Sequence, residues 1–193
     1  MGVEFELKFS AQAEQQEAIF EAFSGDYQIF QMETTYYDAL DSALSERHIT
    51  LRRRFENGES VCTVKTPTSG YGRGEWDCRC DKIEDAISEL CKLGAPEELI
   101  SLTAGGVAAI CGAKFTRRAL LVEYAGAALE LALDKGILMG GGKEVPLCEV
   151  EVELKSGPEE SAVEFGMILA RRFGLIPQKK SKFRRALALA KGE

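Results

Sequence analysis

The sequence predicts an α+β protein in which about eight antiparallel strands close into a barrel, with helices packed around the outside. Three observations carry this prediction. Segments with strict apolar/polar alternation recur through most of the 193 residues. The connections between them are short and marked by Asn-Gly or by glycines. Nearly every such segment also bears a stripe of ionisable side chains, of both signs, opposite an apolar stripe.

The opening run VEFELKF sets Glu4, Glu6 and Lys8 against Val3, Phe5 and Leu7, which reads as a strand. Ala11–Phe23 has helical spacing, with Ile19, Phe20 and Phe23 on one side, Ser10 as N-cap and Ser24-Gly25 as the stop. QIFQMETTYYDALD follows as a strand rich in Tyr and Thr. ITLRRRF and SVCTVKT form a hairpin through Asn57-Gly58. The Gly-rich loop TSGYGRG leads into the strand EWDCRCD. Helices are expected near Ile83–Leu93 and Glu97–Ile110. The segments FTRRALLVEYA, AALELALDKGIL and VPLCEVEVELK read as antiparallel strands, with turns at Gly126 and Gly140–Gly142. Pro158–Phe173 is an amphipathic helix closed by Gly174. The last stretch, KKSKFRRALALA, fits either a strand start or a helix end, and both stay open. No linker or repeat interrupts the chain, so residues 1–193 read as a single domain.

Composition narrows the function. Hydrophobic residues make up 45%, enough for a core, and a net charge of −7 argues against nucleic-acid binding. Six cysteines without a C-x-x-C pair, and no secretory start, point to reduced thiols in a cytoplasmic protein. No apolar run approaches the ~20 residues of a membrane helix. The lone His48 reads as a loop residue rather than a base. Gly70, Gly72 and Gly74 lack the strand–loop–helix context of a phosphate cradle and read as a flexible connection.

The charged stripes carry the chemistry. Glu149, Glu151 and Glu153 alternate in CEVEVELK, as Glu4 and Glu6 do at the start. Carboxylates roughly 6.6–7 Å apart along a strand repel unless cations neutralise them, and hard divalent ions prefer such ligands. Lys8, Arg52, Arg54, Lys65 and Arg117 lie on similar stripes, as do Glu75, Asp77, Glu130 and Asp134. A solvent-facing stripe is ordinary for any one strand. Taken together, the stripes suit a closed sheet whose polar lumen holds a polyanion through metal ions, Arg and Lys.

These motifs resemble those of the CYTH proteins, also called triphosphate tunnel metalloenzymes, over nearly the whole chain. Glu4-Phe5-Glu6-Leu7-Lys8 resembles the E-x-E-x-K signature, LRRRF the L-R-x-R element, and TVKTP the segment with the next phosphate-binding lysine. RGEWD, FTRR, ELALDKG, CEVEVELK and KSKF are similar to later elements in order. One departure is ALDSALSERH, where family members carry a clearer aromatic or proline element. The resemblance implies that Glu4, Glu6, Glu149, Glu151 and Glu153 hold Mg²⁺ or Mn²⁺. It implies that Lys8, Arg52, Arg54, Lys65, Arg117 and Lys182 bind the triphosphate, with Arg184 fitting inside or outside the lumen. Glu4, Glu6, Lys8, Glu151 and Lys182 are the residues expected at the chemistry; Glu75, Asp77, Glu130 and Asp134 would position basic groups or water.

The activity so implied is metal-dependent hydrolysis of the terminal phosphate of inorganic triphosphate, the sequence being most similar to bacterial inorganic triphosphatases. The alternatives are a class IV-type adenylate cyclase, a thiamine triphosphatase, or a non-catalytic module binding polyphosphate or nucleotide. The expected partner is a small-molecule triphosphate, with neither nucleic acid nor membrane, and a homodimer is a permitted assembly.

Overall fold

Alternation becomes strand almost wherever it occurs in the computed structural model, which describes residues 2–67 and 73–193, with the backbone alone for residues 2–4. The N-terminal run is β1 (Gly2–Glu4) and β2 (Glu6–Ser10), interrupted only at Phe5. Then come α1 (Ala13–Ala22), β3 (Gln28–Ala39), α2 (Ala43–Glu46), β4 (Thr50–Glu56) and β5 (Glu59–Pro67). The middle of the chain supplies β6 (Arg73–Arg79), α3 (Ile83–Lys92) and α4 (Glu98–Leu102). Three long strands follow: β7 (Val107–Tyr124), β8 (Ala127–Gly140) and β9 (Lys143–Ser156). The chain finishes with α5 (Glu159–Phe173), β10 (Ile176–Pro177) and α6 (Lys182–Lys191).

One antiparallel sheet takes all ten strands, in the order β1-β6-β5-β4-β3-β7-β8-β9-β2-β10. The excess over the expected eight has two sources: the break at Phe5 and the two-residue β10. The N-terminal run has partners in both halves of the molecule. β1 pairs with β6, and β2 pairs with β9.

Register aligns the charged stripes into rows. Glu6 faces Glu153, which faces Glu130; Lys8 faces Glu151. Ser10, Glu149, Asp134 and Arg117 form the next row across β2, β9, β8 and β7. The opposite face is apolar. Under α3 and α4 it supplies Leu51, Val64 and Trp76, packed with Leu90 of α3, and under α1 and α5 it supplies Leu131, Val150 and Val152, packed with Ile19 of α1 and Leu169 of α5. These two clusters bury the helices' apolar faces, the main stabilising contribution available to such a sheet.

Helix α6 departs from the expectation of peripheral helices. Phe183 and Ala186 pack with Met32, Tyr36, Phe115, Leu138 and Leu147, which share the charge-bearing face with Arg117, Asp134 and Glu149. The helix backbone comes so close to β8 that a Cβ on Gly140 would meet the Ala186 carbonyl at 2.4 Å. Only glycine fits there.

Other differences have local causes. Ser10 is a strand residue paired with Glu149, so the α1 cap falls to a Gln12/Gln15 capping box. The helix expected over Glu97–Ile110 stops at Leu102, because Gly106 adopts φ +99° and β7 begins at Val107. Inside ALDSALSERH, the Asp38 carboxylate accepts from the Leu44 and Ser45 amides and holds the short α2. The Asn57-Gly58 hairpin is as expected, both residues having positive φ. Gly70 and Gly72 lie outside the described residues. Among the described residues no helix is long and apolar enough to cross a membrane.

Candidate active site

The charged rows converge on a cavity of about 1360 Å³. Its wall takes Glu6 and Lys8 from β2, Arg52 and Arg54 from β4, Lys65 from β5, and Glu75 and Asp77 from β6. Arg117, Glu130, Glu151 and Glu153 come from β7, β8 and β9, and Lys182 from α6. Among the described lining residues are twelve Lys or Arg and nine Asp or Glu. A chain of net charge −7 therefore turns an excess of cations inward. That balance suits an anion.

Asp134 and Glu149 lie beneath this wall, both fully buried. With Glu151 they bring carboxylate oxygens within 4.8 Å of one another. The Lys182 ammonium sits among them, 2.8 Å from Asp134 and 2.6 Å from each of Glu149 and Glu151. Arg117 donates from Nε and Nη2 to Asp134, both at 2.8 Å, and from Nη2 to Glu151 at 2.5 Å. Arg185 lies 2.9 Å from Glu149. Burial alone would raise the Glu151 carboxyl, but Lys182 and Arg117 outweigh it and hold it well below the usual carboxylate range. Glu149 is shifted upward by burial and by neighbouring Glu151, against the pull of Lys182. Burial also opposes the charge on Lys182; Asp134, Glu151 and Glu149 more than reverse it and raise its affinity for the proton.

The facing wall is richer in cations. Arg52 and Lys65 share Glu75, at 3.4 and 3.2 Å, and Arg54 meets Glu56 at 3.2 Å. Burial, and then repulsion from Arg52 and Arg117, lowers the pKa of Arg54. Thr63 donates to Asp77 at 2.5 Å. Nearer the acids, Lys8 bonds Glu6, while Lys155 bridges Glu130 and Glu153 at 3.3 and 2.9 Å. Burial opposes the charged form of Lys8, and Glu6 restores it and raises the pKa.

The structure thus brings most of the expected residues to one cavity, including Glu75, Asp77 and Glu130. Asp134 does not line it, and neither does Glu149. Glu149 was expected beside Glu151 and Glu153, yet its depth along β9 places it under α6, outside the lining. The Glu4 side chain lies outside the described residues; its backbone pairs with Arg73. Sequence reasoning missed Lys155, which continues the Glu149–Glu151–Glu153 alternation and was readable. It also missed Arg73, Lys179 and Lys180, which line the cavity beside Glu75 and Lys182. His48 is exposed, as expected of a loop residue, yet its Nδ1 lies 3.2 Å from Arg184 at the cavity rim. The cysteines are free, and burial pushes the Cys62 and Cys111 thiols up to about 12, which keeps them unreactive.

Residues 2–187 match the CYTH domain. The chain belongs to the CYTH domain family. An inorganic triphosphatase of Haemophilus influenzae is 34% identical to it over 136 residues. That stretch is 68% of this chain and 38% of the relative, so the chain spans about two-fifths of that protein's length. Two solved structures share the CYTH fold seen here. The PH1819 protein of Pyrococcus horikoshii has a TM-score of 0.63 at 24% identity, covering 97% of this chain and 99% of that one. The Hippeastrum protein HpAC1, described as having a dominant triphosphatase activity, has a TM-score of 0.65 at 16% identity, covering 100% and 97%.

Proposed function

We propose that this CYTH domain hydrolyses the terminal phosphate of inorganic triphosphate or a related triphosphate, using a divalent metal ion, Mg²⁺ or Mn²⁺. The reading rests on one observation: Arg52, Arg54 and Arg117 face one cavity and repel one another there, while Arg117 also holds two members of a buried carboxylate cluster. The named activity of the Haemophilus influenzae relative supports it. In this reading the sheet closes into a tunnel around the cavity, with the N-terminal run as the seam, since β1 and β2 pair with β6 and β9. Residues 1–193 then act as one domain in the cytoplasm on a small-molecule substrate, without nucleic acid or membrane.

Arg52, Arg54, Lys65 and Arg117 clamp the phosphate chain and offset charge on the transferred and leaving oxygens. Lys8 and Lys182 act at the acid-rich side of the same chain. The donors for a hard cation are carboxylate oxygens, and the close approach of Asp134, Glu149 and Glu151 fits one. Glu4, Glu6 and Glu153 complete the set. When bound, such an ion neutralises phosphate oxygens and acidifies a water. Glu75 and Asp77 hold Arg52, Lys65 and Thr63 in place, and Glu130 holds Arg117 and Lys155.

A second reading, cyclisation of ATP, is favoured by the cavity volume, which exceeds the roughly 300–1,000 Å³ of most small-ligand sites. Incubating the protein with inorganic triphosphate or ATP, with Mg²⁺ or Mn²⁺, separates the two. Phosphate released from triphosphate is the expected result; cyclic AMP without phosphate release would replace hydrolysis by cyclisation. Tight triphosphate binding with neither product would leave a sensor.

A further inference from the structure

Helix α5 carries apolar side chains on two opposite faces. One face is buried: Ala162, Phe165 and Leu169 pack into the cluster that holds Val150 and Val152. Gly166 lies so close to β2 that an added Cβ would meet Leu7 at 2.6 Å. The other face is open. Val163, Met167 and Ile168 lie within about one turn of each other there and are 38%, 58% and 45% exposed. Glu159 and Glu160 stand at the N-terminal end of this face, and Arg171 and Arg172 at its C-terminal end, all four exposed. Roughly 16 Å of helix separates Glu160 from Arg171, too far for the two ends to pair within one copy. End charges of this sense suit the macrodipole of any helix, but the exposed apolar middle does not follow from it. Glu164, the remaining acid of this face, accepts from the Tyr124 hydroxyl.

We propose that this face is a contact between two copies of the chain, with α5 packed antiparallel against α5 of the second copy about a two-fold axis level with Phe165 and Gly166. In that arrangement the face complements itself. Glu160 comes opposite Arg171 of the second copy, Glu159 opposite Arg172 and Val163 opposite Ile168, with both Met167 side chains near the axis. A parallel pairing would set acid against acid and base against base. Glu160, Glu164, Met167 and Arg171 are spaced by four, three and four residues. That seam packs helices at about 20°, so the charged ends stay within reach of each other. A lipid surface suits the face less, because Glu159 and Glu160 would lie against anionic head groups. One helix against its copy is a small interface, so the dimer is weak and forms reversibly with concentration. Both cavities stay open, since α5 packs on the face of the sheet that carries Val150 and Val152. The proposal stands apart from the triphosphate reading.

Sedimentation velocity on the full 193-residue chain, from about 1 µM to about 500 µM, tests it. The parent should move from the mass of one chain to twice that mass as concentration rises. Met167→Glu should weaken the association at least about tenfold, since it buries a carboxylate at the axis. Charge reversal tests the geometry. Arg171→Glu/Arg172→Glu and Glu159→Arg/Glu160→Arg, each folded by circular dichroism, should be monomeric alone, because like charges then meet at both ends. Mixed in equal amounts they should recover the dimer, acidic ends against basic ones. A parent that stays monomeric throughout overturns the proposal, and so does a dimer that survives Met167→Glu. Charge variants that dimerise alone, or a mixture that stays monomeric, overturn it as well. If a charge variant does not fold, the parent and Met167→Glu decide. A monomeric parent that sediments with phosphatidylserine vesicles gives the face to a lipid surface and also overturns the dimer.

Discussion

The side-chain amide of Gln16, on α1, donates to the main-chain carbonyl of Glu149 at 2.7 Å. The same nitrogen donates to the Asp134 carbonyl at 2.9 Å. Asp134 and Glu149 face each other across β8 and β9, so one buried glutamine on the apolar side fixes the backbone behind two carboxylates on the charged side. Gln16→Leu leaves both carbonyls without this donor. We expect a loss of about 2–3 kcal/mol, read as a lower urea midpoint at unchanged slope.

Glu6 and Glu151 should both be needed for metal-dependent phosphate release, yet their amide variants should differ in stability. Among the described residues Glu6 pairs with Lys8, and its side chain is 23% exposed. Glu151 is 9% exposed and holds both Lys182 and Arg117. Glu151→Gln removes one charged partner from each of two buried cations, which keep Asp134, and should cost about 1.5–3 kcal/mol. Glu6→Gln should cost less than about 1 kcal/mol. A Glu151→Gln protein as stable as its parent in chemical denaturation would contradict the pairing.

The same cluster sets an acid limit. Because the folded state holds Glu151 well below the usual range, its contribution is complete above the unfolded value of about 4.3 and fades as pH falls toward the folded one. Glu149, shifted upward, works in the opposite sense and shares its stabilisation only on the acid side. Lys182, shifted upward as well, keeps its contribution up to the unfolded value of about 10.4 and loses it as pH climbs toward the folded one. Denaturation midpoints should hold from neutral pH to about 10 and drop below about 4, the drop being shallower in Glu151→Gln.

Arg54 offers a test that needs no metal. Burial, and then its position among Arg52 and Arg117, disfavours its charge until an anion arrives. Inorganic triphosphate should therefore raise the thermal midpoint, by the equivalent of about 2.7 kcal/mol at a hundredfold excess over the dissociation constant. Arg54→Gln should lose most of that gain while its own midpoint in buffer stays level or rises.

Period-2 alternation made the strands and their charged faces legible, because register then brings those faces together without further information. Lys155 shows that the stripe could have been followed one step further. Depth was not legible. Glu149 shares a face with Glu151, but which of them lies under a helix depends on where α6 docks, and KKSKFRRALALA suits strand and helix alike. The local signal there was Ser181, whose hydroxyl accepts from the Arg184 amide as an N-cap. The Asp38 clamp on α2 was hidden for another reason: the carboxylate reaches amides six and seven residues ahead, beyond the usual capping spacing.

The pairing of the N-terminal run has a consequence for biosynthesis. Lys8 finds its ladder partner at Glu151 and accepts a main-chain bond from Gln178, and Phe9 pairs with Val150 and Pro177. On a ribosome adding about 5–20 residues per second, β2 waits on the order of ten seconds for β9 to emerge. During that interval an alternating, half-apolar ribbon stands open to other chains, which makes β2 the segment where aggregation of nascent protein should begin and where a chaperone would have most to protect.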